Sequence, residues 1–314
     1  MSTVVSVIRK NLETLDARLP SIRDGDRDAI HEGRVATRRV RAALPLLGKR
    51  RGSEEWSENA AAAVKTLGRA LGKARDRDAA LALLDDIERR SPGTAPAVAV
   101  MRVRLLPERL RHRRRLIKVV ESVDLDVLAR LHAATRRESH FSTGFRLSAG
   151  IRLAAAIAQS VASVREKVHH ASGVYFPNRA HHARIAIKKL RYAAELIDRG
   201  EPVRKPALRA LKEAQEKLGR VHDREMLLRR LMAQAEEEDL PGARDLARVL
   251  EAESRTLFEE YRALRPALAD ACDSLEAWAR RGAAPRPGAR LLLVGAVALP
   301  SAAVFLASRA RRAG

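Results

Sequence analysis

One pattern of basic residues occurs twice in this chain, and a chain that repeats itself is confined to folds whose two halves can pack alike. His31, Arg34, Arg38 and Arg41 share their spacing with His181, Arg184, Lys188 and Arg191. A second element follows each copy, where Leu71, Gly72, Lys73, Ala74, Arg75, Asp76 and Arg77 answer to Leu218, Gly219, Arg220, Val221, His222, Asp223 and Arg224. The pattern is that of an internal duplication. Its recurring content is mostly cationic, so the repeated unit is expected to present positive charge to something negative.

Long stretches of Ala, Leu, Arg and Glu, with apolar residues three and four apart and no alternating β-branched run, predict an all-α protein. Breaks rich in Gly, Pro, Ser or Asn fall at Pro20–Gly25, Gly48–Ser53, Ser91–Pro96, Ser142–Gly144, Ala171–Asn178, Gly200–Pro206 and Leu240–Gly242. They divide each half into roughly four helices. The expected organisation is a first helical repeat over 1–123, a connecting helix within 124–141 and a second repeat over 142–281. A linker at 282–290 and an apolar tail at 291–314 follow. Short loops between successive helices predict antiparallel bundles.

Wheel geometry narrows the first basic element to one face. With about 100° per residue, Arg34, Arg38 and Arg41 lie at roughly −60°, −20° and −80° from His31, a stripe about 80° wide. Val35, Val40, Leu44 and Leu47 occupy much of the other side, as do Ile185, Ile187, Leu190 and Leu196 in the second copy. Arg39 and Lys189 fall off the stripe. In the second element, Lys65, Arg69 and Lys73 precede Arg75 and Asp76, and Lys212, Glu216 and Arg220 precede His222 and Asp223. Gly72 and Gly219 are expected to admit a neighbouring helix or a ligand, with tight packing favoured.

Charge selects the class of partner. Lys and Arg number 61 against 39 Asp and Glu, a net charge of +22, and 50 of the cations are Arg against 11 Lys. Such an excess is typical of proteins that meet polyanions or anionic membranes, and the planar guanidinium fork suits phosphate. Arg over Lys with abundant Ala also follows from a GC-rich genome, so the net charge is the stronger signal. Aromatic residues make up only 3% of the chain. Single-stranded nucleic acid is held largely by stacking on aromatic side chains, and Tyr192 beside Arg191 is the lone ring near the basic elements, so bare phosphate is favoured over bases. Cys272 is the only cysteine, which excludes an intramolecular disulfide and reads as a core residue. Residues 1–10 lack the pattern of a secretory signal, so a cytoplasmic location is expected.

The residues resemble the CHAD domain, the conserved-histidine α-helical domain. The resemblance rests on His31-Glu-Gly-Arg34 leading into Arg38-Arg39-Val-Arg41 and on His181-His-Ala-Arg184 leading into Lys188-Lys189-Leu-Arg191-Tyr192, with Leu218-Gly219 and His222-Asp223 downstream. It spans about Val4 to Arg281. It implies two four-helix bundles related by a pseudo-twofold axis, whose basic face binds inorganic polyphosphate without catalysis. The family often accompanies a triphosphate tunnel domain, and none is recognisable on this chain, so a polyphosphate-metabolising enzyme would act in trans. Polyphosphate granules are then an expected location.

The duplication also weighs binding against catalysis. His222 with Asp223 resembles the His-Asp pair of metal-dependent phosphohydrolases, but the duplicate position is Arg75, which cannot ligate a metal. Phosphate accepts a proton donor of either kind, so the exchange favours anion binding. His169, His170, His181 and His182 are a second dense group, separated by an expected loop. No cofactor and no metal are expected. The predicted phosphate contacts are His31, Arg34, Arg38, Arg41, Lys65, Arg69, Lys73, Arg75, His181, Arg184, Lys188, Arg191, Lys212, Arg220 and His222. His31 and His181 are expected to gain charge in mild acid and strengthen binding. The alternatives are sequence-independent contact with a nucleic-acid backbone, which would otherwise only compete, and metal-dependent phosphohydrolysis.

Two segments stand apart. The run Arg102–Lys118 is basic without an equal in the second half, and is expected to be a solvated face or an extension of the binding surface. Leu291–Ser308 is uncharged and just long enough to span a membrane, with Pro300 and Gly295 weakening that reading. A docked apolar helix is the competing expectation.

Overall fold

The computed structural model describes residues 3–48, 54–123, 125–136, 143–236 and 240–283. Linker residues 284–290, the tail at 291–314 and the connecting segment beyond Arg136 lie outside them. Among the described residues there are ten α-helices and no strands: α1 (Thr3–Arg23), α2 (Arg27–Ala43), α3 (Glu54–Arg90), α4 (Ala95–Ser122), α5 (Leu125–Arg136), α6 (Thr143–His170), α7 (Pro177–Ala194), α8 (Arg204–Ala235), α9 (Ala243–Ala263) and α10 (Arg265–Ala283).

The same packing plan is built twice. Helices α1, α2, α3 and α4 pack in sequence, and α5 returns onto α1 and α3. Helices α6, α7, α8 and α9 pack in sequence, and α10 returns onto α6 and α8. The helix expected to connect the halves therefore occupies the place in the first half that α10 occupies in the second, giving five helices on each side. The break between α9 and α10 was invisible to a reading of Gly and Pro clusters, because it falls at Leu264. Pro266, in the first turn of α10, is the one local signal there, since proline disfavours a continuing helix just before it.

Where the halves meet, α2 packs on α7, α3 on α8 and α4 on α9. Each helix at the interface thus meets its own counterpart, as a twofold axis requires. The long helices α3, of 37 residues, and α8, of 32, leave their own bundles to make that interface. Leu84 and Ile87 of α3, Met101 of α4, Leu227 and Leu231 of α8 and Leu250 of α9 form a second, separate core between the halves.

Two carboxylates that each bridge the halves bracket this shared core. Glu108 of α4 receives Arg77 of its own half at 2.7 Å and Arg230 of the other half at 3.1 Å. Glu253 of α9 receives Arg224 of its own half at 2.7 Å and Arg90 of the other. Arg77 and Arg224, which follow Asp76 and Asp223 in the repeated element, are therefore structural clasps. Their conversion to anything uncharged would leave a partly buried carboxylate short of a partner.

Helix α2 sits deep because its buried face is small. Gly33, Ala36 and Thr37 lie against α1 and α3, and a Cβ at Gly33 would come within 2.8 Å of Ile22 Cδ1. Asp26 caps the helix, its carboxylate accepting the Ala29 N–H at 2.6 Å, and Gly25 before it has φ 78°, a conformation that favours glycine. Close packing on one side turns the polar side of α2 toward α7. Val40 and Leu44 are buried as the wheel predicts, whereas Val35 and Leu47 are only half-buried.

Candidate anion-binding seam

The interface of α2 and α7 brings the two basic stripes together. Arg38 Nη1 donates to the Tyr192 hydroxyl across the axis at 3.2 Å, and Arg39 Nε pairs with Glu195 at 2.8 Å. With Arg38 stand Arg34 from α2 and Arg184 and Lys188 from α7, near enough to act on one another. Burial followed by the fields of Arg38, Arg184, Arg34 and Arg41 pulls the Lys188 ammonium down to about 8. Arg34 and Arg184 are lowered as well, first by burial and then by charges that include other arginines.

The carboxylates near this cluster are few. Arg34 Nη2 lies 3.1 Å from Asp76, and Asp223 is the first charge to act on Arg184. Asp223 is open to water, yet the protein around it raises its pKa by desolvation, so the carboxyl lies in a depression. Arg184 Nε is buried and has no hydrogen-bond acceptor among the described residues. Such a donor costs roughly 1–3 kcal/mol when left unmet.

At the ends of the seam the histidines meet the downstream elements. His181 Nδ1 and His222 Nδ1 are 3.3 Å apart, with ring centroids at 4.8 Å. One of the two nitrogens must carry the hydrogen and the other the lone pair, so the contact requires at least one neutral ring. Burial and then Arg184 hold His222 down to about 4, and His181 and His31 are also lowered, His31 by burial and then by Arg75, the residue that stands in the place of His222. Burial first, and then the surrounding cations, favour the neutral form of all three rings.

The structure divides the predicted contacts into three groups. His31, Arg34, Arg38, Arg75, His181, Arg184, Lys188 and His222 share the seam, with Arg41 at its edge, close enough to depress Lys188. Arg191 is turned aside: its Nε donates to Gln215 at 2.9 Å, its Nη1 pairs with Glu195 at 2.8 Å, and it stacks over Tyr192. It braces α7 against α8. Lys65, Arg69, Lys73, Lys212 and Arg220 are exposed on the outer sides of α3 and α8, where Arg69 and Lys73 line a cleft toward α4 and Lys212 pairs with Glu216 at 3.6 Å.

Several seam residues escaped the sequence reading. Tyr192 is buried and serves as a tether for Arg38, a role that only the pairing of helices reveals. Arg229 acts on both His181 and His222 and stands seven residues beyond His222, two turns along the same face of α8, so helical spacing was the available signal. The favoured reading of Gly72 and Gly219 as tight packing points is also corrected. A Cβ at Gly72 would meet nothing within 4 Å, and one at Gly219 would meet only Arg184 Nε at 3.9 Å. These glycines keep the seam's walls low.

Among the described residues no group of three or more His, Cys, Asp and Glu is arranged to hold a metal ion. Cys272 is buried, and burial pushes its thiol up to about 11, which suits a core residue.

The chain belongs to the CHAD domain family, whose pattern matches residues 6–232. No curated protein matches it in sequence. Its fold is similar to the crystal structure of the CHAD domain from the plant Ricinus communis, with a TM-score of 0.56 and 22% identity over 88% of this chain and 91% of that one. It is also similar to PptA from Streptomyces chartreusis, with a TM-score of 0.58 and 18% identity over 86% of this chain and 98% of that one.

Proposed function

We propose that the seam binds inorganic polyphosphate without altering it. The observation that carries this reading is the gathering of Arg34, Arg38, Arg184 and Lys188 at the interface of α2 and α7, with Asp76 and Asp223 the nearby carboxylates. An array of like charges held by the fold is complementary to a chain carrying about one negative charge per phosphate, and binding releases the counterions condensed on that chain. Arginine forks and a lysine ammonium supply directed donors to successive phosphates. Tyr192, the aromatic ring within the basic stripes, is buried and not open to stacking, and this favours a polymer without bases over nucleic acid, which would bind only as a weaker competitor.

A hydrolytic role has less support. His222 faces His181 and lies in the field of Arg184 and Arg229, surroundings that repel a divalent cation. Binding alone suits a protein of the cytoplasm that attaches to polyphosphate granules or brings the polymer to an enzyme carried by another chain.

Titration calorimetry with polyphosphate of about a hundred units, repeated at rising salt, tests the reading. The expected result is a binding constant that falls steeply and linearly on logarithmic axes, with duplex DNA displaced by polyphosphate at equal phosphate concentration. Absence of salt-sensitive binding, or preference for DNA, overturns it. Release of orthophosphate from the polymer by purified protein overturns the non-catalytic part.

A further inference from the structure

Resting on that reading, we infer that the polymer leaves the seam on one side only, crossing α3 at Gly72 into a cationic cleft between α3 and α4 that forms a second binding site for long chains. The cleft is lined by Arg69 and Lys73 from α3 and by His112 and Arg115 from α4. Arg111, Arg114 and Lys118 continue the basic surface along α4, lining a shallow hollow with Arg115 and Leu110.

Three observations converge on this path. The first is charge without compensation: Arg69, Lys73, Arg111, Arg114, Arg115 and Lys118 carry no ion pair among the described residues. Neighbouring Arg109 and Arg113 are tied to the buried Asp78, and Arg102 to Asp85 and Glu88, so the unpaired cations of α4 gather on the side toward this cleft.

The second is access. With about 100° per residue, Gly72 lies about 60° from Arg75, which faces the seam, and about 60° on the other side from Arg69, which faces the cleft. No atom lies within 4 Å of the place where its Cβ would be. Gly72 is a low point on the ridge that separates the two sites, and a flexible phosphate chain can pass there while remaining within reach of cations on both slopes.

The third is the opposite flank. Arg77 pairs with Glu108 as its counterpart Arg224 pairs with Glu253, which sets the register of α4 against α9. In that register Arg114 and Arg115 correspond to Glu259 and Glu260, and across the repeated element Arg69 corresponds to Glu216. Glu260 pairs with Lys217 at 2.5 Å, Glu259 with Arg262 at 2.8 Å, and Glu216 with Lys212. On the second flank the cations Lys212, Lys217 and Arg262 are compensated by these carboxylates, which leaves less free positive charge for an emerging polyanion and favours the exit on the first side.

The test compares chain lengths. Full-length wild-type protein and an Arg111→Gln/Arg114→Gln/Arg115→Gln variant are titrated with polyphosphate of about five units, which fills the seam alone, and of about a hundred units, which reaches the cleft. The expected result is unchanged affinity for the short chain, about tenfold weaker affinity for the long chain and a shallower salt dependence for the long chain only. Arg255→Gln/Arg262→Gln on α9 should leave both chain lengths unaffected. If the triple variant does not fold, Arg115→Glu alone makes the same measurement at a solvent-exposed position.

Long-chain binding that survives the triple substitution overturns the second site while leaving the seam intact. Equal weakening for both lengths overturns it as well, because the flank would then belong to the seam. Loss of affinity for vesicles containing anionic lipid, with long-chain polyphosphate unaffected, assigns the basic face of α4 to a membrane and overturns the proposal. Failure of wild-type protein to bind either length is instead the failure of the polyphosphate reading itself.

Discussion

On the flank of the first half, Arg69 of α3 and Arg114 and Arg115 of α4 stand without ion-pair partners among the described residues. At the corresponding places in the second half stand Glu216, Glu259 and Glu260, each paired to a local cation. Helix α4 carries eight Lys and Arg against two Glu, whereas α9 carries four Arg against five Asp and Glu. Nearer the axis the halves agree: Arg34 and Arg184, Arg38 and Lys188, Arg77 and Arg224, Glu108 and Glu253. The difference teaches where duplication constrains side chains. At the axis each residue must fit both its own half and its counterpart, so a change on one side is felt twice. On the flanks no such condition operates, and one copy carries unpaired cations where the other has carboxylates paired to its own.

The largest expected effect belongs to what the halves share. Replacing Arg34, Arg38, Arg184 and Lys188 together by Ala should weaken polyphosphate of every length by about a thousandfold or more, since at least four phosphate contacts and their counterion release are lost. Helical circular dichroism should be retained, because the substitutions remove like charges from a crowded seam. Loss of fold in that variant would make the stripe a structural feature and break the comparison at its centre.

The clasps come next. Glu253→Gln strands Arg224, whose side chain is only 6% exposed, and should cost about 2 kcal/mol in denaturant unfolding. Glu108→Gln, acting on Arg77 and Arg230, should cost a similar amount. Similar losses sharpen the view of the interface as symmetric, and a loss confined to one of them breaks it.

A charge exchange on the flanks should be felt more weakly. Introducing Glu216→Arg, Glu259→Arg and Glu260→Arg should strengthen long-chain polyphosphate by about tenfold and leave short chains nearly unchanged, giving the second half the exit it lacks. Titration of the triple variant with the two lengths reads this directly.

The smallest effects are in pH. Lys188 is held at about 8 in the free protein and a bound polyanion should raise it, so binding takes up a proton and affinity is expected to fall as pH rises above about 8. A loss of a few fold between about pH 8 and 10 is expected, absent in Lys188→Arg. His31, His181 and His222 are lowered in the empty seam and raised by the anion, so affinity also increases as pH falls below neutrality. The same lowering bears on stability. The unfolded chain binds protons that the folded histidines refuse, so the free protein loses stability as pH falls from about 6.5 toward about 4, the value to which His222 is held. Thermal unfolding with and without polyphosphate should show that loss reduced by the ligand.

Much of the fold was legible in the chain because helix contacts are local. The breaks at Ala171–Asn178 and Gly200–Pro206 fall where α6, α7 and α8 are separated, since glycine and proline act on their own turn of backbone. The end of α9 at Leu264 was missed because its one local signal is Pro266, without the cluster of Gly, Pro, Ser or Asn that marks the other breaks. The candidate site was legible as a stripe and opaque as a site. His31, Arg34 and Arg38 share a face by spacing alone, but nothing in that spacing turns Arg191 toward Gln215 and Glu195 or makes Tyr192 a tether.

What the sequence by itself determined is the all-α class, the recurrence of the basic pattern and the cationic character of each repeated face, all of which follow from residues within a turn or two of one another. The tertiary structure alone decided that the two faces form one seam. Arg38 and Tyr192 are 154 positions apart, and their contact exists only because α2 and α7 meet at the axis. It also decided which cations remain unpaired, since a guanidinium is neutralised by whatever carboxylate the fold brings within reach, at Glu108 and Glu253 between the halves and at Glu260 on one flank alone. Coulombic partnership is set by distance in space, and distance in space is not written in spacing along the chain.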